Sequence, residues 1–532
     1  MTVKREGVTA RLSPGGVPTP RTLTAVDWTG LARAAGLSAP HPAVAAVEVR
    51  GLAYDSRAVT PGTVFVAVRG QHADGHAFVA GALATGAVAA VVEAVPPGVP
   101  PDRCLVVPDA RAALAPLAAA FFGHPSASCR VVGITGTDGK TTTCTLLQAA
   151  LAAAGRVAGS LTTVDFRLGT AVEPNRTRQT TLEALEIQAR LRAMVDDGCQ
   201  DVALETTSHA LALHRVDAVR YQGAVYTAIT HEHLDFHGSW EAYFAAKASL
   251  LDRAAAEPGG FAVLNRDDAR AFPLLAARPV GRRCTYSAAG DPAADLRATA
   301  VVPDLDGIRF TAETPAGPAP VSLRMPGRWN VANALAALAA GLCLDLALPD
   351  LVAGLERVER VPGRMERVDG GQPFTVVIDY AHTPAALGQV LQALRSATPN
   401  HLWVVFGSAG ERDVAKRAEM GRIAAGLADQ VVVTSEDPRE EDPAAICAEI
   451  VAGAAEGGGR PGESVHVVLD REQAIDRAIA QAQPGDTVLL AGKGHEATQI
   501  VGRTAHPWDE RGEAAAALGR RGFPLTRTAG GG

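Results

Sequence analysis

The chain has little of what marks a disulfide-stapled, membrane-spanning or nucleic-acid-binding protein. Its seven cysteines form no C-x-x-C pair, which argues against a disulfide framework and favours reduced thiols in a cytosol. Its longest apolar stretches, residues 112–122 and 334–344, fall short of the roughly 20 apolar residues that a membrane helix needs. The formal net charge of −7 gives no general attraction to nucleic acid or to an anionic membrane. We therefore expect a soluble cytoplasmic protein with small-molecule partners, and no nucleic-acid or membrane partner.

The length predicts several domains. A chain of 532 residues suggests about three or four. The first residues carry charges, prolines and glycines but no apolar segment typical of a secretory signal, so we expect a flexible tail over residues 1–23. The order of apolar runs and turns then predicts domains over residues 24–129, 130–362 and 363–532. We expect a monomer.

The first of these domains is predicted to be a small α/β unit. Apolar runs over residues 62–68 and 86–92 alternate with turns, a pattern typical of strands with a core of their own. Two polar turns, residues 54–57 and 70–75, adjoin such runs. From their residue types alone they either bind a ligand or only end the strands.

The stretch from Val131 to Thr143 predicts a phosphate-binding loop. It runs from a Val/Ile strand through a glycine turn into a helix start, where backbone N–H groups can surround phosphate oxygens. We expect Lys140 to reach the outer phosphates and Thr141 to offer its hydroxyl to Mg²⁺. Because Ile134 stands where the general G-x-x-x-x-G-K-T pattern has its first glycine, we predict a variant of that loop.

Polar side chains follow the later apolar runs of the second domain. The runs at residues 201–204, 223–229 and 261–264 are separated by helix-like segments, which is typical of a parallel sheet with crossover helices. Ligands of such sheets bind beyond the carboxyl ends of the strands. The residues at the ends of the runs should therefore cluster near the phosphates: Glu205 to His209, Thr230 to His237 and Asn265 to Asp268.

The third domain repeats this arrangement with four polar or glycine-rich turns. Its apolar runs are residues 376–378, 403–406, 431–433 and 488–490, and they end in polar or glycine-rich turns at residues 379–384, 407–413, 435–439 and 492–496. A parallel, Rossmann-like sheet would bring all four turns to one edge. These turns supply charged side chains suited to binding a charged amino acid: Arg412, Arg439, Lys493 and Glu496.

The run His231-x-His233-x-Asp235-x-His237 raises a competing hypothesis. Metallo-β-lactamase-type hydrolases bind two zinc ions with a T-H-x-H-x-D-H run, and Thr230 to Asp235 match its first part. Phe236 interrupts the match by delaying the last histidine by one residue. The upstream phosphate loop, which such hydrolases do not need, favours an ATP enzyme. For that enzyme, hard oxygen ligands suit Mg²⁺, and Thr141 and Glu205 are the candidates, with His233 nearby.

Further motifs recur in a fixed order along the chain. They are Asp55-Ser56-Arg57, Thr135-Gly136-Thr137-Asp138-Gly139-Lys140-Thr141-Thr142, Glu205-x-x-Ser208-His209, His233-Leu234-Asp235-Phe236-His237-Gly238, Tyr243-Phe244-Ala245-Ala246-Lys247, Asn330-Val331-Ala332-Asn333, Gly363-Arg364-Met365-Glu366, Asp379-Tyr380-Ala381-His382-Thr383-Pro384 and Gly492-Lys493-Gly494-His495-Glu496. Together they resemble the Mur ligase family, and within it the tripeptide synthetases of peptidoglycan precursor synthesis.

This resemblance implies a three-domain α/β ligase: a small N-terminal α/β domain, a central P-loop ATPase-like domain with a parallel sheet, and a C-terminal Rossmann-like domain. The first would hold the UDP end of UDP-MurNAc-L-Ala-D-Glu, the second ATP, and the third the incoming diamino acid. The D-Glu γ-carboxylate would attack the γ-phosphate of ATP, and the amine would displace phosphate from the resulting acyl phosphate. Holding the substrates in one orientation lowers the entropic barrier.

The resemblance also implies roles for single residues. At the uridine end would lie Tyr54, Ser56, His72 and Ala73, and at the muramoyl-dipeptide Thr180, Thr181, Thr207 and Arg215. ATP would be bound by Gly136, Thr137, Asp138, Gly139, Lys140, Thr141, Thr142, Asn330 and Arg364. Mg²⁺ would be bound by Thr141, Glu205, His233 and Lys247. Lys247 resembles a lysine that family members carry as an N-carboxylate. Catalysis would rest on Lys140, Lys247, Glu205 and His233. The amino acid would be bound by Arg412, Glu436, Asp437, Pro438, Arg439, Gly492 and Glu496.

Some residues depart from the family pattern. Asp138 stands where an Asn is common, which adds negative charge near the phosphates. On the dipeptide side, Gln179 replaces an Asn, Thr207 a Ser and Leu213 a polar residue.

The most consequential departure concerns the choice of amino acid. Glu436-Asp437-Pro438-Arg439 stands where meso-diaminopimelate enzymes typically have Asp-Asn-Pro-Arg. Arg439 can pair bidentately with the distal carboxylate of diaminopimelate, and meso-diaminopimelate is therefore the predicted substrate. The acid at Asp437 favours an amine-bearing side chain instead, so L-lysine and L-ornithine remain alternatives.

Overall fold

The structure is a computed structural model. It describes residues 26–70, 73–177, 179–230, 232–304 and 307–525. The predicted tail, residues 1–23, lies outside the described residues. The chain divides into two units, one comprising the chain up to Tyr286 together with Ala336–Leu351, and the other Ser287–Leu335 together with the chain from Val352 onward.

The first unit begins with the small α/β segment. Its strands β3 to β6 pair in parallel in the order β3-β4-β5-β6, and the short pair β1 and β2 is antiparallel. The elements are β1 (Val26–Asp27), α1 (Trp28–Ala34), β2 (Glu48–Val49), β3 (Gly51–Ala53), β4 (Thr63–Val66), α2 (Val79–Thr85), β5 (Ala89–Val92), β6 (Cys104–Val106) and α3 (Ala110–Phe121).

A predominantly parallel sheet comes next in the same unit. Its strands lie in the order β10-β9-β8-β11-β7-β12-β13-β14, parallel from β8 to β14, with β9 and β10 antiparallel at one side. The elements are β7 (Arg130–Thr135), α4 (Lys140–Ala153), β8 (Ala158–Leu161), β9 (Asp165–Leu168), β10 (Ala171–Pro174), α5 (Ala184–Asp196), β11 (Asp201–Glu205), α6 (Ser208–Ala212), β12 (Tyr221–Tyr226), α7 (Leu234–His237), α8 (Trp240–Ala255), β13 (Phe261–Asn265), α9 (Ala271–Ala276) and β14 (Arg282–Ser287).

The central strands of this sheet are apolar and buried, as is typical of parallel strands whose two faces are both covered. Residues 131, 132 and 134 of β7 are fully buried, as are residues 202 and 203 of β11. The predicted parallel sheet is thereby confirmed. Strand β12 ends at Tyr226, earlier than the apolar run over residues 223–229 suggested, because the chain turns there to pack against the phosphate loop.

The second unit contains an antiparallel three-stranded segment and a six-stranded mixed sheet. In the six-stranded sheet the order is β18-β19-β23-β20-β21-β22, parallel except for the edge strand β18. The elements after β14 are β15 (Leu296–Asp304), β16 (Gly307–Glu313), β17 (Ala319–Leu323), α10 (Trp329–Cys343), α11 (Leu348–Glu356), β18 (Glu366–Arg367), β19 (Thr375–Asp379), α12 (Pro384–Ala397), β20 (Leu402–Phe406), α13 (Ala415–Leu427), β21 (Gln430–Val433), α14 (Pro443–Glu456), β22 (Val465–Val467), α15 (Arg471–Gln481), β23 (Thr487–Ala491), β24 (Thr498–Val501), β25 (Thr504–Pro507) and α16 (Glu510–Arg520).

The parallel pairing of β19, β20, β21 and β23 confirms that the four polar or glycine-rich turns that follow these strands share one edge of this sheet. Helix caps set the helix entries: Thr383 accepts a hydrogen bond from the N–H of Ala386, and Pro384 follows at the first helical position of α12. Among the helices in the described ranges, none combines the length and the apolar composition that crossing a membrane requires.

Helices α13 and α14 pack closely at a glycine, which leads to a stability prediction. A Cβ on Gly453 would lie 1.9 Å from the carbonyl oxygen of Ala418, whereas one on Gly426 of α13 would meet nothing within 4 Å. We expect Gly453→Ala to lower the free energy of unfolding by about 1–3 kcal/mol, because the helices must separate. Gly426→Ala, the matched control, should raise it by about 0.5–1 kcal/mol. Urea unfolding midpoints measure both, and an undiminished midpoint for Gly453→Ala would contradict the close packing.

Candidate active site

The conformation of the loop after β7 depends on its glycines and on a threonine that follows the neighbouring strand β12. Gly136 and Gly139 have φ angles of 152° and 82°, in the region that favours glycine. A Cβ on Gly136 would lie 1.7 Å from the hydroxyl oxygen of Thr227. That hydroxyl donates to the carbonyl of Asp138 at 2.6 Å, so Thr227, just past β12, fixes the turn.

The loop lysine lies over the loop itself. Lys140 Nζ donates to the carbonyls of Thr137 at 2.6 Å and Gly136 at 3.0 Å. Thr142 is buried, and Thr141 is the second residue of α4, in the first turn, where backbone N–H groups have no intrahelical acceptor. The side chain of Asp138 is exposed, so solvent screens the extra negative charge of this variant loop.

The side chains of Glu205 and Thr141 are in hydrogen-bond contact next to the loop. The hydroxyl of Thr141 lies 3.0 and 3.1 Å from the two carboxylate oxygens of Glu205, which ends β11 and is 1% exposed. The backbone N–H of Thr163 donates to the same carboxylate at 2.9 Å. A hydroxyl and a buried carboxylate are hard oxygen donors, and this donor set fits Mg²⁺.

Lys247 is buried against the same loop. Its side chain is 2% exposed, and Nζ donates to the carbonyl of Gly136 at 2.7 Å and lies 4.7 Å from the centre of the Tyr243 ring. Within the described ranges no carboxylate lies within ion-pair distance of it. Burial, and then the positive charge of Lys140, hold the pKa of Lys247 well below its usual value.

His233 belongs to a group of packed rings. It has a φ angle of 56°, and its ring centroid lies 4.6 Å from that of His209 and 6.5 Å from that of Tyr243. Tyr243 in turn lies with its hydroxyl 3.0 Å from that of Thr137, which connects the rings to the loop. The ring of Phe236 packs on that of His209, with the centroids 4.3 Å apart.

The zinc hypothesis finds no support in this group. Among the residues that the structure describes, no three His, Cys, Asp or Glu side chains are grouped so as to hold a metal ion. His231 lies outside the described residues.

The residues assigned to the dipeptide side are connected to Glu205. Thr181 Oγ1 donates to the carbonyl of Glu205 at 2.7 Å and accepts from the N–H of Thr207 at 3.0 Å. Arg215 donates to the carbonyl of Thr181 at 3.1 Å and pairs with Glu183 at 2.9 Å. Thr207 caps α6 by accepting from the N–H of Ala210, a role that serine also performs, so the cap is kept at this departure from the family pattern. Thr180 is half-buried beside this group.

The residues assigned to the uridine end are less closely connected. Tyr54 donates its hydroxyl to Glu186 at 2.9 Å, and burial raises the pKa of both groups. Ser56 is half-buried in a short turn, and Ala73 is exposed. His72 lies outside the described residues.

In the second unit, the turns after β21 and β23 meet. A Cβ on Gly492, whose φ angle is 102°, would lie 2.8 Å from Glu436 Oε2. Burial raises the pKa of Glu436, whose Oε2 has no hydrogen-bond partner in the described chain. Lys493 is completely buried and donates to Asp437 at 2.9 Å and to Glu496 at 2.5 Å.

The arginines of these turns are arranged differently. Arg439 has a φ angle of 54° and lies 4.0 Å from Glu411. Arg412 is exposed, and Pro438 is buried, with its carbonyl 2.1 Å from where a Cβ on Gly410 would stand. Both hydrogen bonds of Lys493 go to carboxylates of the protein itself, and the expectation that its side chain suits a charged amino acid stays a prediction.

The remaining two ATP-site candidates also belong to the second unit. Asn330 donates to the carbonyl of Pro326 at 2.7 Å and accepts from the side chain of Asn333 at 3.0 Å. The guanidinium of Arg364 lies 4.6 Å from the centre of the Tyr380 ring. Their contact with ATP stays a prediction.

Comparison with known proteins identifies the family. Residues 48–122 match the profile of the "Mur ligase family, catalytic domain", residues 134–341 that of the "Mur ligase middle domain" and residues 363–494 that of the "Mur ligase, glutamate ligase domain". A UDP-N-acetylmuramyl-tripeptide synthetase of Roseiflexus sp. (strain RS-1) is 49% identical over 488 residues, which cover 90% of this chain and 96% of that protein. The chain belongs to the Mur ligase family.

Two further relatives agree with this assignment. A UDP-N-acetylmuramoyl-L-alanyl-D-glutamate–2,6-diaminopimelate ligase of Solibacter usitatus (strain Ellin6076) is 43% identical over 489 residues, covering 91% of this chain and 97% of that protein. A solved structure of a ligase with the same name superimposes with a TM-score of 0.62 at 31% identity, covering 89% of this chain and 96% of that one. This Mur ligase is an ATP-dependent, ADP-forming enzyme with the family's three-domain α/β fold, and its substrates are small molecules.

Sequence reasoning missed the roles of four residues of this Mur ligase. Thr227 supports the loop and Thr163 supports Glu205, and neither belongs to a recurring motif. Tyr243 and Tyr380 stand in recurring motifs but received no role: Tyr243 contacts Thr137, and Tyr380 donates its hydroxyl to Glu496 at 3.0 Å. Thr227 follows the carboxyl end of a parallel strand, which is a signal that could have found it. Thr163 acts through its backbone N–H, which no residue type reveals.

Proposed function

We propose that this Mur ligase adds a diamino acid to the D-Glu of UDP-MurNAc-L-Ala-D-Glu in cytoplasmic peptidoglycan precursor synthesis, and that it acts as a monomer. Its relatives, a UDP-N-acetylmuramyl-tripeptide synthetase and a UDP-N-acetylmuramoyl-L-alanyl-D-glutamate–2,6-diaminopimelate ligase, support this substrate. We also propose that residues 24–129 bind the UDP end, residues 130–362 ATP and residues 363–532 the amino acid.

The observation that carries the proposal is the chain of contacts from Thr141 through Glu205 to Thr181 and Arg215. It joins the residues assigned to ATP with those assigned to the dipeptide. A ligase that phosphorylates a substrate carboxylate needs such a connection, because the two reacting oxygens must be held in line.

In the proposed reaction the D-Glu γ-carboxylate attacks the γ-phosphate, and the amine then displaces phosphate through a tetrahedral intermediate. Lys140 and the N–H groups of the loop bind and orient the phosphates. When bound, Mg²⁺ neutralises charge on the phosphates. Thr141 and Glu205 supply its oxygen donors, and His233 and an N-carboxylated Lys247 are further candidates.

For the amino acid we propose meso-diaminopimelate, because Arg439 offers a guanidinium to its distal carboxylate. L-lysine or L-ornithine is the second candidate, because Asp437 is an acid where diaminopimelate enzymes typically have an amide.

The test is a ligation assay with ATP, UDP-MurNAc-L-Ala-D-Glu and each of the three amino acids separately. We expect ADP release that depends on the amino acid, together with a product whose mass is that of the tripeptide. ADP release without any amino acid, or none with all three, would contradict a ligase of this specificity. A clear preference for L-lysine or L-ornithine would replace meso-diaminopimelate by the second candidate.

A further inference from the structure

Lys493 connects the turns after three strands of the six-stranded sheet. Its Nζ donates to Asp437 in the turn after β21 and to Glu496 in the turn after β23. Glu496 also accepts from the hydroxyl of Tyr380, in the turn after β19. The side chain of Lys493 is 0% exposed, so these carboxylates are the partners of a charge that water does not reach.

Asp437 is fixed by backbone as well. The N–H of Ile500 donates at 2.9 Å to Oδ1, the same oxygen that Lys493 contacts. The carbonyl of Asp437 accepts from the N–H of Gly410 at 2.9 Å. Only 13% of the Asp437 side chain is exposed. An acid at this position is therefore partnered by an ammonium and an N–H within the protein itself.

We propose that Lys493 is a positioning residue that neutralises and orients Asp437 and Glu496, so that the acid at position 437 does not select the amino acid by its charge. The proposal rests on the proposed function. It removes the objection that Asp437 raises against a substrate with a distal carboxylate, since a charge paired at 2.9 Å with a buried ammonium repels a second anion far less than an unpaired one.

The decisive variant is Asp437→Asn, which keeps the shape and removes the charge. We expect the ratios of kcat/KM among meso-diaminopimelate, L-lysine and L-ornithine to stay within about threefold of those of the wild type. A larger shift of preference towards meso-diaminopimelate would overturn the proposal, because it would mean that the charge of Asp437 reaches the substrate. A purely structural role for Asp437 would lower all three values without separating them, whereas direct selection must change their ratio.

Lys493→Met tests the positioning role. It should raise the KM for the preferred amino acid by about tenfold or more while leaving the KM for ATP within about twofold, because two carboxylates lose their shared partner. In the double variant with Asp437→Asn, part of that loss should be recovered, since one unpaired charge is gone. An unchanged KM for the amino acid in Lys493→Met would overturn the proposal.

The wild-type arm separates this proposal from the proposed function. If the wild type forms no tripeptide with any of the three amino acids, the proposed function fails, and this proposal fails with it. If the wild type is active and only the variants deviate, the proposal about Lys493 fails alone. Should Lys493→Met not fold, the Asp437→Asn ratios still decide.

Discussion

Replacement of Lys247 by alanine is expected to lower kcat by about 10³-fold or more, corresponding to about 4 kcal/mol of transition-state stabilisation. Lys247 is buried against Gly136 without a carboxylate at ion-pair distance in the described chain, and its pKa lies well below the usual value. A neutral amine of this kind reacts with CO₂ to give a carbamate and a proton, which turns a would-be cation into an anion able to orient Mg²⁺.

The measurement combines kcat with chemical rescue. Added formate or acetate should restore part of the activity of Lys247→Ala, because a small carboxylate can occupy the space of the carbamate. Ser249→Ala, on the same helix α8, is the matched control: among the described residues its hydroxyl donates to the carbonyl of Ala246, one turn away, and activity should stay within about twofold. Undiminished activity of Lys247→Ala would refute the carbamate role. A loss of activity without any rescue would mean that Lys247 acts only through its hydrogen bond to the Gly136 carbonyl.

Removal of the Thr141 hydroxyl is expected to have the next largest effect. Thr141→Val keeps the shape of the side chain but takes the hydroxyl from the Glu205 carboxylate, 3.0 Å away. If that hydroxyl and that carboxylate serve Mg²⁺, kcat should fall by about 10²-fold or more, and the Mg²⁺ concentration for half-maximal activity should rise.

Thr141→Ser is the matched control for this prediction. It keeps the hydroxyl, and its kcat should stay within about fivefold of the wild type. Titration of activity with Mg²⁺ measures both variants. Equal Mg²⁺ requirements of the valine and serine variants would mean that the hydroxyl does not serve the metal.

Much of the fold could be predicted from the sequence alone, because strands and turns are indicated by patterns that extend over only a few residues. A strand buried on both faces must be apolar throughout, and β7, β11, β13, β19, β20, β21 and β23 all lie where such runs predicted them. Polar turns at the ends of these runs located Glu205, Asp437 and Glu496. The limit appeared at β12, whose apolar run continues past Tyr226 into residues that support the phosphate loop.

The residue types of the candidate site could be predicted from the sequence, but the contacts between them could not, because those contacts join distant parts of the chain. Residue types and their order along the chain pointed to Lys140, Thr141 and Glu205, but not to their partners. Thr163 donates to Glu205 through its backbone, and Thr227 acts on the loop from 89 residues away. Neither contact can be recognised from a sequence motif.

The sequence by itself determined which chemistry this protein carries: a glycine turn with Lys140 and Thr141 that can bind phosphates, and charged turns at the ends of parallel strands. These depend on backbone freedom and side-chain type, which act over a few residues. Only the tertiary structure decided how the charges are paired. Asp437, 56 residues from Lys493 along the chain, reads as an unpaired acid in the sequence and is neutralised in the fold, because strand order brings β21 and β23 to either side of β20.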